Sequence, residues 1–296
     1  MSTQIPQELQ DHLTNGVTTL SRAWAITRKD GSTFGFTDHD LPLEFEGVVF
    51  KADSGLSASS LAQSTGLSVD NAEAIGALSD LSVTDSDIEA GRFDGAEVKA
   101  WLVNWADVAQ RWLQFRGTIG ELRRAGGAFT AELRGLTDGL NQPIGRVFQK
   151  PCTAVLGDAG CGVDLSAPFL RTELAVDQVA QGRIFTWLDL PGFDADWFAR
   201  GRLDLLSGAG AGLWSAVKRD TTTATDRSIE LWEPIRAVLQ PGDMVRLTAG
   251  CDKRLQTCRD KFSNIRNFQG YPDIPSEDWM VAVPKRTGAN SGGSLR

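Results

Sequence analysis

Histidine, tyrosine and cysteine are scarce in this chain. Its 296 residues hold two histidines, His12 and His39, one tyrosine, Tyr271, and four cysteines. So few imidazoles leave little room for a catalytic triad, a His-rich metal site or most general-base schemes. Long apolar runs are missing as well. No segment approaches ~20 consecutive apolar residues, so nothing is expected to span a membrane. The opening stretch "MSTQIPQELQDHL" has neither the basic n-region nor the apolar h-region of a secretory signal. The chain is therefore expected to fold in a cytosol, where thiols stay reduced. Basic charge is in deficit too: 30 Lys and Arg against 38 Asp and Glu give a net charge of −8. That balance argues against a duplex-binding protein. It suits a protein around which others assemble, or one that DNA passes without sticking.

What is present reads as β structure. "LSRAWAIT" alternates, with Leu20, Arg22, Trp24 and Ile26 on one face. Asp30-Gly31 and Glu46-Gly47 mark two hairpin turns. Residues 6–14 suit a short helix. Residues 54–80 read as loops and short helices. "SDIEAG" reads as a brief helix with Ser86 and Glu89 as capping box and Gly91 as its stop. Strand-like runs return at "AEVKAWLVNW", "WLQFRGTIGELRR" and "AFTAELRGL", with Gly126-Gly127 turning between the last two. "TDGLNQPIGRVFQK" then reads as a helix and connector. Five more short runs follow, "GRIFTWLDL", "GRLDLLSG", "GLWSAVKRD", "RSIELWEP" and "GDMVRLTAG", and predict a second small β-barrel or sandwich. The expected architecture is mainly β with short helices: a β-rich region over 1–150 with a helical or loop insertion near 55–95, a β domain over 151–264, and an extension over 265–296 whose last eleven residues are small and polar. The nine tryptophans read as core and interface anchors. Asp38, His39 and Asp40 in "TDHD" read as turn and loop residues, with His39 a candidate partner contact.

The cysteines carry the chemistry. Cys152 and Cys161 lie in "PCTAVLGDAGCGVDL", and Cys251 and Cys258 in "CDKRLQTCRDKF", with 89 residues between the pairs. Seven residues along one straight helix span about 10.5 Å, whereas two sulfurs on one zinc lie at most about 4.6 Å apart. A shared metal thus requires each pair to fold back. Gly157, Gly160 and Gly162 permit this around Asp158. The second pair encloses no glycine and must turn on residues 253–257 alone. A cubane cluster, whose normal ligation is four cysteines, spreads its thiolates further apart than one zinc does. Lys253, Arg254, Arg259, Lys261 and Arg266 outnumber Asp252 and Asp260, and local positive charge favours thiolates. Neither pair is C-x-x-C. Spacing alone leaves a four-thiolate metal site, unliganded core cysteines and disulfides all open. The basic run from Lys253 to Arg266 reads as charge compensation for thiolates in preference to a nucleic-acid site.

Three stretches also carry a resemblance. "GFTDHDLPLEFEGVVFKADSGLSASSL", "PCTAVLGDAGCGVDL" and "CDKRLQTCRDKFSNIRNFQGYPDIPSEDWM" resemble the hub proteins at the tail tip of siphophage-like particles and of the gene transfer agents of alphaproteobacteria, a family related to tail tip protein L of lambda-like phages. The likeness spans nearly the whole chain. It implies two β-barrel-type hub domains in a non-enzymatic virion structural protein, a homotrimer that adapts a sixfold tail to a threefold tip. It implies as partners a distal tail protein, a central tip or fibre protein that binds the receptor, the tape-measure C-terminus and a tail peptidase, with DNA passing through unbound. It implies an iron–sulfur cluster, [4Fe–4S], on Cys152, Cys161, Cys251 and Cys258, covered by "FQGYPDIP" with Tyr271 and Pro272 excluding water. A zinc-stapled tail protein is the alternative, and an iron–sulfur redox protein a more distant one, since no dinucleotide or flavin motif is visible.

Overall fold

The computed structural model describes residues 4–52, 56–60, 71–77, 84–125, 128–135, 145–188, 190 and 192–274. The chain divides into two compact units, residues 1–143 with 236–238, and residues 144–235 with 239–296.

The first unit opens on helix α1 (Gln7–Thr14), where a helix is expected. A sheet follows, built from β1 (Leu20–Thr27), β2 (Thr33–Thr37), β3 (Leu43–Phe45), β4 (Val48–Lys51), β5 (Leu56–Ser60), β6 (Asn71–Ala77), β7 (Glu97–Asn104), β8 (Arg111–Ala125) and β9 (Ala128–Gly135). Its strand order is β3-β4-β2-β1-β7-β8-β9-β6-β5. Both expected hairpins are present. Asp30-Gly31 sets Thr27 opposite Thr33. Glu46 and Gly47 adopt φ of 52° and 73°, as a primed two-residue turn requires, and Phe45 faces Val48 across them. β1 is buried on both faces. Trp24 and Ile26 pack with Phe36, Phe93 and Phe115, while Ala23 and Ala25 pack with Phe45, Phe50 and Trp101. Apolar cover on both sides of one strand accords with curled sheets that form a half-barrel.

Two local expectations need correction here. Residues 54–80 contribute strands β5 and β6, and β6 pairs antiparallel with β9. Their Ala, Ser and Gly content carries no period of two, so the pairing partner, invisible to a local reading, decides the structure. The helix near 55–95 reduces, among the described residues, to α2 (Asp85–Glu89). Its N-cap is Thr84, whose Oγ1 accepts the Asp87 N–H at 3.2 Å, in place of Ser86; the stop at Gly91 holds, with its N–H on the Ile88 carbonyl. Residues 137–144, the helical part of the "TDGLNQPIGRVFQK" reading, lie outside the described residues, and 145–150 are its connector. Gly126-Gly127 and all residues after 274, 286–296 among them, lie outside the described residues.

The second unit holds β10 (Arg171–Ala175), β11 (Gln178–Ala180), β12 (Ile184–Trp187), β13 (Arg202–Leu205), β14 (Trp214–Thr222), β15 (Arg227–Leu231) and β16 (Met244–Thr248), in the order β10-β16-β13-β14-β15-β12-β11. All five predicted runs are strands. Phe185, Leu203, Leu205, Val217, Ile229, Leu231, Val245 and Leu247 are sealed from solvent. The outer face of β14 carries exposed Trp214, and Trp232 after β15 is exposed too. Of the described tryptophans, Trp24, Trp101 and Trp187 are the buried ones. The first and last strands in sequence, β10 and β16, are neighbours, with Arg171 opposite Thr248. The two cysteine-bearing segments therefore leave the sheet side by side.

Among the described residues of this unit, one ion pair is fully buried. Arg227 and Asp220 meet at 2.6 Å with side chains 2% and 0% exposed. The guanidinium also donates to the carbonyls of Phe193 and Asp194, and Asp220 accepts the Phe198 N–H. Removing one partner strands a buried charge, which costs about 3–5 kcal/mol. Asp220→Ala is thus expected to lower unfolding free energy by about that amount in urea titration, whereas Arg219→Ala on the solvent face changes it by under about 1 kcal/mol.

Candidate metal centre

The first cysteine loop is wound around one carboxylate. Asp158 accepts the Cys161 N–H at 2.6 Å through Oδ1 and the Val155 N–H at 2.8 Å through Oδ2. Its carbonyl accepts the Gly162 N–H at 2.7 Å. The N–H of Cys161, then that of Val155, hold its carboxyl below the usual range. Gly157 has φ of +83°, and a Cβ there would lie 2.6 Å from a Leu165 methyl, so both conformation and space demand glycine. Gly162 also has positive φ; Gly160 does not.

The second loop turns without glycine. Lys253 adopts φ of +66°, after which α3 (Leu255–Asp260) begins. Cys251 precedes the turn and Cys258 lies in the helix, so the two are not strung along one straight helix. The Lys253 N–H points at the Cys251 sulfur at 3.4 Å. Gly250 sits where a Cβ would lie 1.7 Å from the Ala199 carbonyl oxygen, so the strand end before Cys251 can pass that close only without a side chain.

The loops are tied to each other and to a third segment. Cys152 N–H donates to the Lys253 carbonyl at 2.8 Å, and Lys253 Nζ returns to the Ala154 carbonyl at 2.6 Å. Asn264 Nδ2 donates to the Cys161 carbonyl at 2.6 Å. The Gln269 N–H points at the Cys152 sulfur at 3.4 Å. All four cysteines line one pocket, whose space including its open mouth is about 330 Å³, with Leu156, Val163, Phe262 and Phe268 as apolar wall. All four are free thiols, with Cys161 and Cys258 buried. Among the described residues, no three or more His, Cys, Asp or Glu side chains converge tightly enough to hold one metal ion; what the thiols share is the pocket.

Burial, then the proximity of Cys152, Cys251 and Cys161, pushes the Cys258 thiol up. Burial likewise pushes Cys251 up, against the N–H and charge of Lys253. Four thiolates in one pocket repel one another, so their joint ionisation calls for a positive centre among them. The donor set, four sulfurs with two backbone N–H groups aimed at them, fits a polynuclear metal–sulfur group.

The basic run divides. Lys253 and Arg254 line the pocket. Lys261 donates from Nζ to the carbonyls of Trp197 and Gly250, at 2.5 and 2.8 Å, and sits 4.3 Å over the Trp197 ring. Burial pulls its pKa down to about 8, against the pull of Cys251, Asp220 and Asp252. Arg259 instead pairs with Asp260 in solvent. The expected water shield also shifts: Phe268 lines the pocket, while Tyr271 packs against Phe148, ring centres 4.8 Å apart. Sequence reasoning missed Asn264 and Gln269, which signal nothing in sequence beyond an amide side chain a few residues after the last cysteine. Asp38 and His39 are turn residues as expected. Asp38 accepts the Arg22 N–H, and His39 Nδ1 meets the Leu41 N–H while its ring lies 4.9 Å from that of Trp105.

Comparison with known proteins finds relatives over most of the chain. Residues 6–164, more than half the chain, match the family "Baseplate hub protein, N-terminal attachment domain". Residues 196–278 match "Phage conserved hypothetical protein BR0599". Each match contains one cysteine pair. Among solved structures, a chain of the "Virion of native gene transfer agent (GTA) particle" is 51% identical, with a TM-score of 0.91 over 98% of this chain and 100% of that one. No curated protein matches.

The thiols give a direct test. A raised pKa leaves less thiolate at every pH below it. In metal-free protein, alkylation of Cys251 and Cys258 by iodoacetamide is expected to accelerate with a midpoint above the ordinary thiol value of 9.0. Peptide mapping across a pH series reads that midpoint; one at or below 9.0 contradicts the burial and charge assigned to the pocket.

Proposed function

The chain belongs to the baseplate hub protein family, and from that premise we propose that it forms a homotrimeric ring at the tail tip of a siphophage-like DNA-delivery particle, stapled by an iron–sulfur cluster. A baseplate hub is a structural component of the virion. The finer reading is that the ring adapts a sixfold tail to a threefold tip. Its neighbours in that reading are a distal tail protein above, a central tip or fibre protein below, and the tape-measure C-terminus and a tail peptidase. The role is assembly, not catalysis. The net charge of −8 supports passage of DNA without retention, through like-charge repulsion. Among the described residues no helix is long and apolar enough to cross a membrane.

The observation that carries the cluster is the common pocket of Cys152, Cys161, Cys251 and Cys258. A [4Fe–4S] group would take its four thiolates from these residues and supply metal–thiolate bonds between segments 89 residues apart. Closing so long a loop favours the folded chain. Lys253, Lys261 and the N–H groups of Lys253 and Gln269 would offset the charge of the thiolates.

Anaerobic purification is expected to give a brown protein with iron and acid-labile sulfide in about equal amounts and broad absorbance near about 400 nm. One zinc per chain without sulfide would favour the zinc staple instead. Cys258→Ser is expected to lose the colour and to reduce gene-transferring or infective particles at least tenfold. Normal delivery by colourless variant particles would remove the structural role of the cluster.

A further inference from the structure

The two buried thiols come from different pairs, Cys161 from the first loop and Cys258 from α3. One residue touches both. Asn264 donates from Nδ2 to the Cys161 carbonyl at 2.6 Å, and the same amide reaches the Cys161 sulfur at 3.8 Å. Its backbone N–H donates to the Cys258 carbonyl at 2.9 Å, and its own carbonyl accepts from the Cys258 thiol at 3.3 Å. We propose that Asn264 is the positioning residue that sets Cys161 and Cys258 against each other across the pocket. In the iron–sulfur reading, on which this clause rests, it also directs a side-chain N–H at a ligating sulfur.

The residue is built for that task. Its Oδ1 is held by Asn267 Nδ2 at 2.8 Å, which fixes the amide with the nitrogen toward Cys161 and the oxygen away. Its carbonyl also accepts the Asn267 N–H at 3.1 Å. When Cys258 gives up its proton to bind metal, that carbonyl keeps a donor and is not orphaned. Ser263 before it has φ of 49°. This left-handed residue lies two positions beyond Lys261, the C-cap of α3, and turns the chain so that the residue 264 N–H reaches back to the Cys258 carbonyl. Cys152 and Cys251 instead receive backbone donors, from Gln269 and Lys253. Among the described N–H groups aimed at the cysteine sulfurs, the Asn264 side-chain amide is the one that substitution removes without touching the main chain.

Two variants test it. Asn264→Asp keeps the shape but replaces the donor by an acceptor facing the Cys161 carbonyl; Asn264→Ala removes the side chain. In metal-free full-length protein, differential alkylation followed by peptide mapping is expected to show Cys161 and Cys258 labelled about tenfold faster in both variants, with Cys152 and Cys251 unchanged. In anaerobically purified protein, Asn264→Asp is expected to release iron to a chelator about tenfold or more faster than the parent, the usual cost of losing an outer-shell partner. Its midpoint potential should be more negative, because a lost N–H···S bond and an added carboxylate both disfavour the reduced cluster. Far-UV circular dichroism checks that the fold is kept; should Asn264→Ala unfold, Asn264→Asp carries the test. Unaltered labelling at Cys161 and Cys258 in a folded variant overturns the positioning role. Altered labelling with unaltered iron release and potential overturns its action on the cluster. If the parent protein holds neither iron nor sulfide, the cluster reading fails and the labelling result alone decides the positioning role.

Discussion

The pairing of β10 with β16 is the constraint on which the second unit depends. Arg171 faces Thr248 at one end of the ladder, and just beyond it the Ala249 N–H donates to the Leu170 carbonyl at 2.7 Å. The chain thus enters and leaves its seven-stranded sheet through adjacent strands. Each of those strands is extended by a cysteine loop. The sheet performs the long-range closure, and the loops need only short bonds to meet: Cys152 on the Lys253 carbonyl, Lys253 Nζ on Ala154. Any metal then acts on thiols already gathered. Its contribution is a lock on a closed loop more than the closing of an open one, since the greater part of the loop entropy is spent by the β ladder.

The buried ion pair connects the sheet core to that pocket. Asp220 and Arg227 hold the 193–198 turn through the N–H of Phe198 and the carbonyls of Phe193 and Asp194. The same turn presents the Trp197 carbonyl, which accepts the Gly250 N–H at 3.0 Å and the Lys261 ammonium. Gly250 is the residue before Cys251, and Lys261 follows α3. A charge pair inside the sheet therefore fixes both flanks of the second cysteine pair. Burial of Lys261 weakens its hold on a proton, while the neighbouring Cys251 strengthens it. Thiolates in the pocket would tip that balance toward the charged ammonium, so the two unfavourable burials, of thiolate and of ammonium, relieve each other.

The legible parts of this fold were those with a local signal. The hairpins at Asp30-Gly31 and Glu46-Gly47 and the five strands between the cysteine pairs follow from alternation and turn chemistry. β5 and β6 were not legible, because strands of Ala, Ser and Gly owe their state to a partner, here β9, distant in sequence. The four ligand candidates could be named from composition and resemblance, but their convergence rests on β10–β16 pairing, which no residue in either loop announces. The resemblance implies Tyr271 and Pro272 of "FQGYPDIP" as the water shield; Phe268 of the same stretch lines the pocket instead, while the Tyr271 N–H on the Gln149 carbonyl seats that ring beside Phe148.

The family matches divide the chain differently from its packing. The hub attachment match runs through the first unit and ends at residue 164, just after Cys161, while the second match begins at 196 and holds Cys251 and Cys258. Compact packing instead places all four cysteines in one unit, from residue 144 onward. Two sequence families thus each contribute half of one donor set, and neither half has a pocket alone: the first loop lacks the Lys253 carbonyl for its Cys152 N–H, and the second lacks the Ala154 carbonyl for Lys253 Nζ. Lys253 itself, held at a φ that favours glycine, shows what the join requires. A glycine would adopt that turn with less strain but would have no ammonium to send back to the first loop. Lysine at this position bears that backbone cost and supplies the bond that joins two segments, neither of which forms the pocket alone.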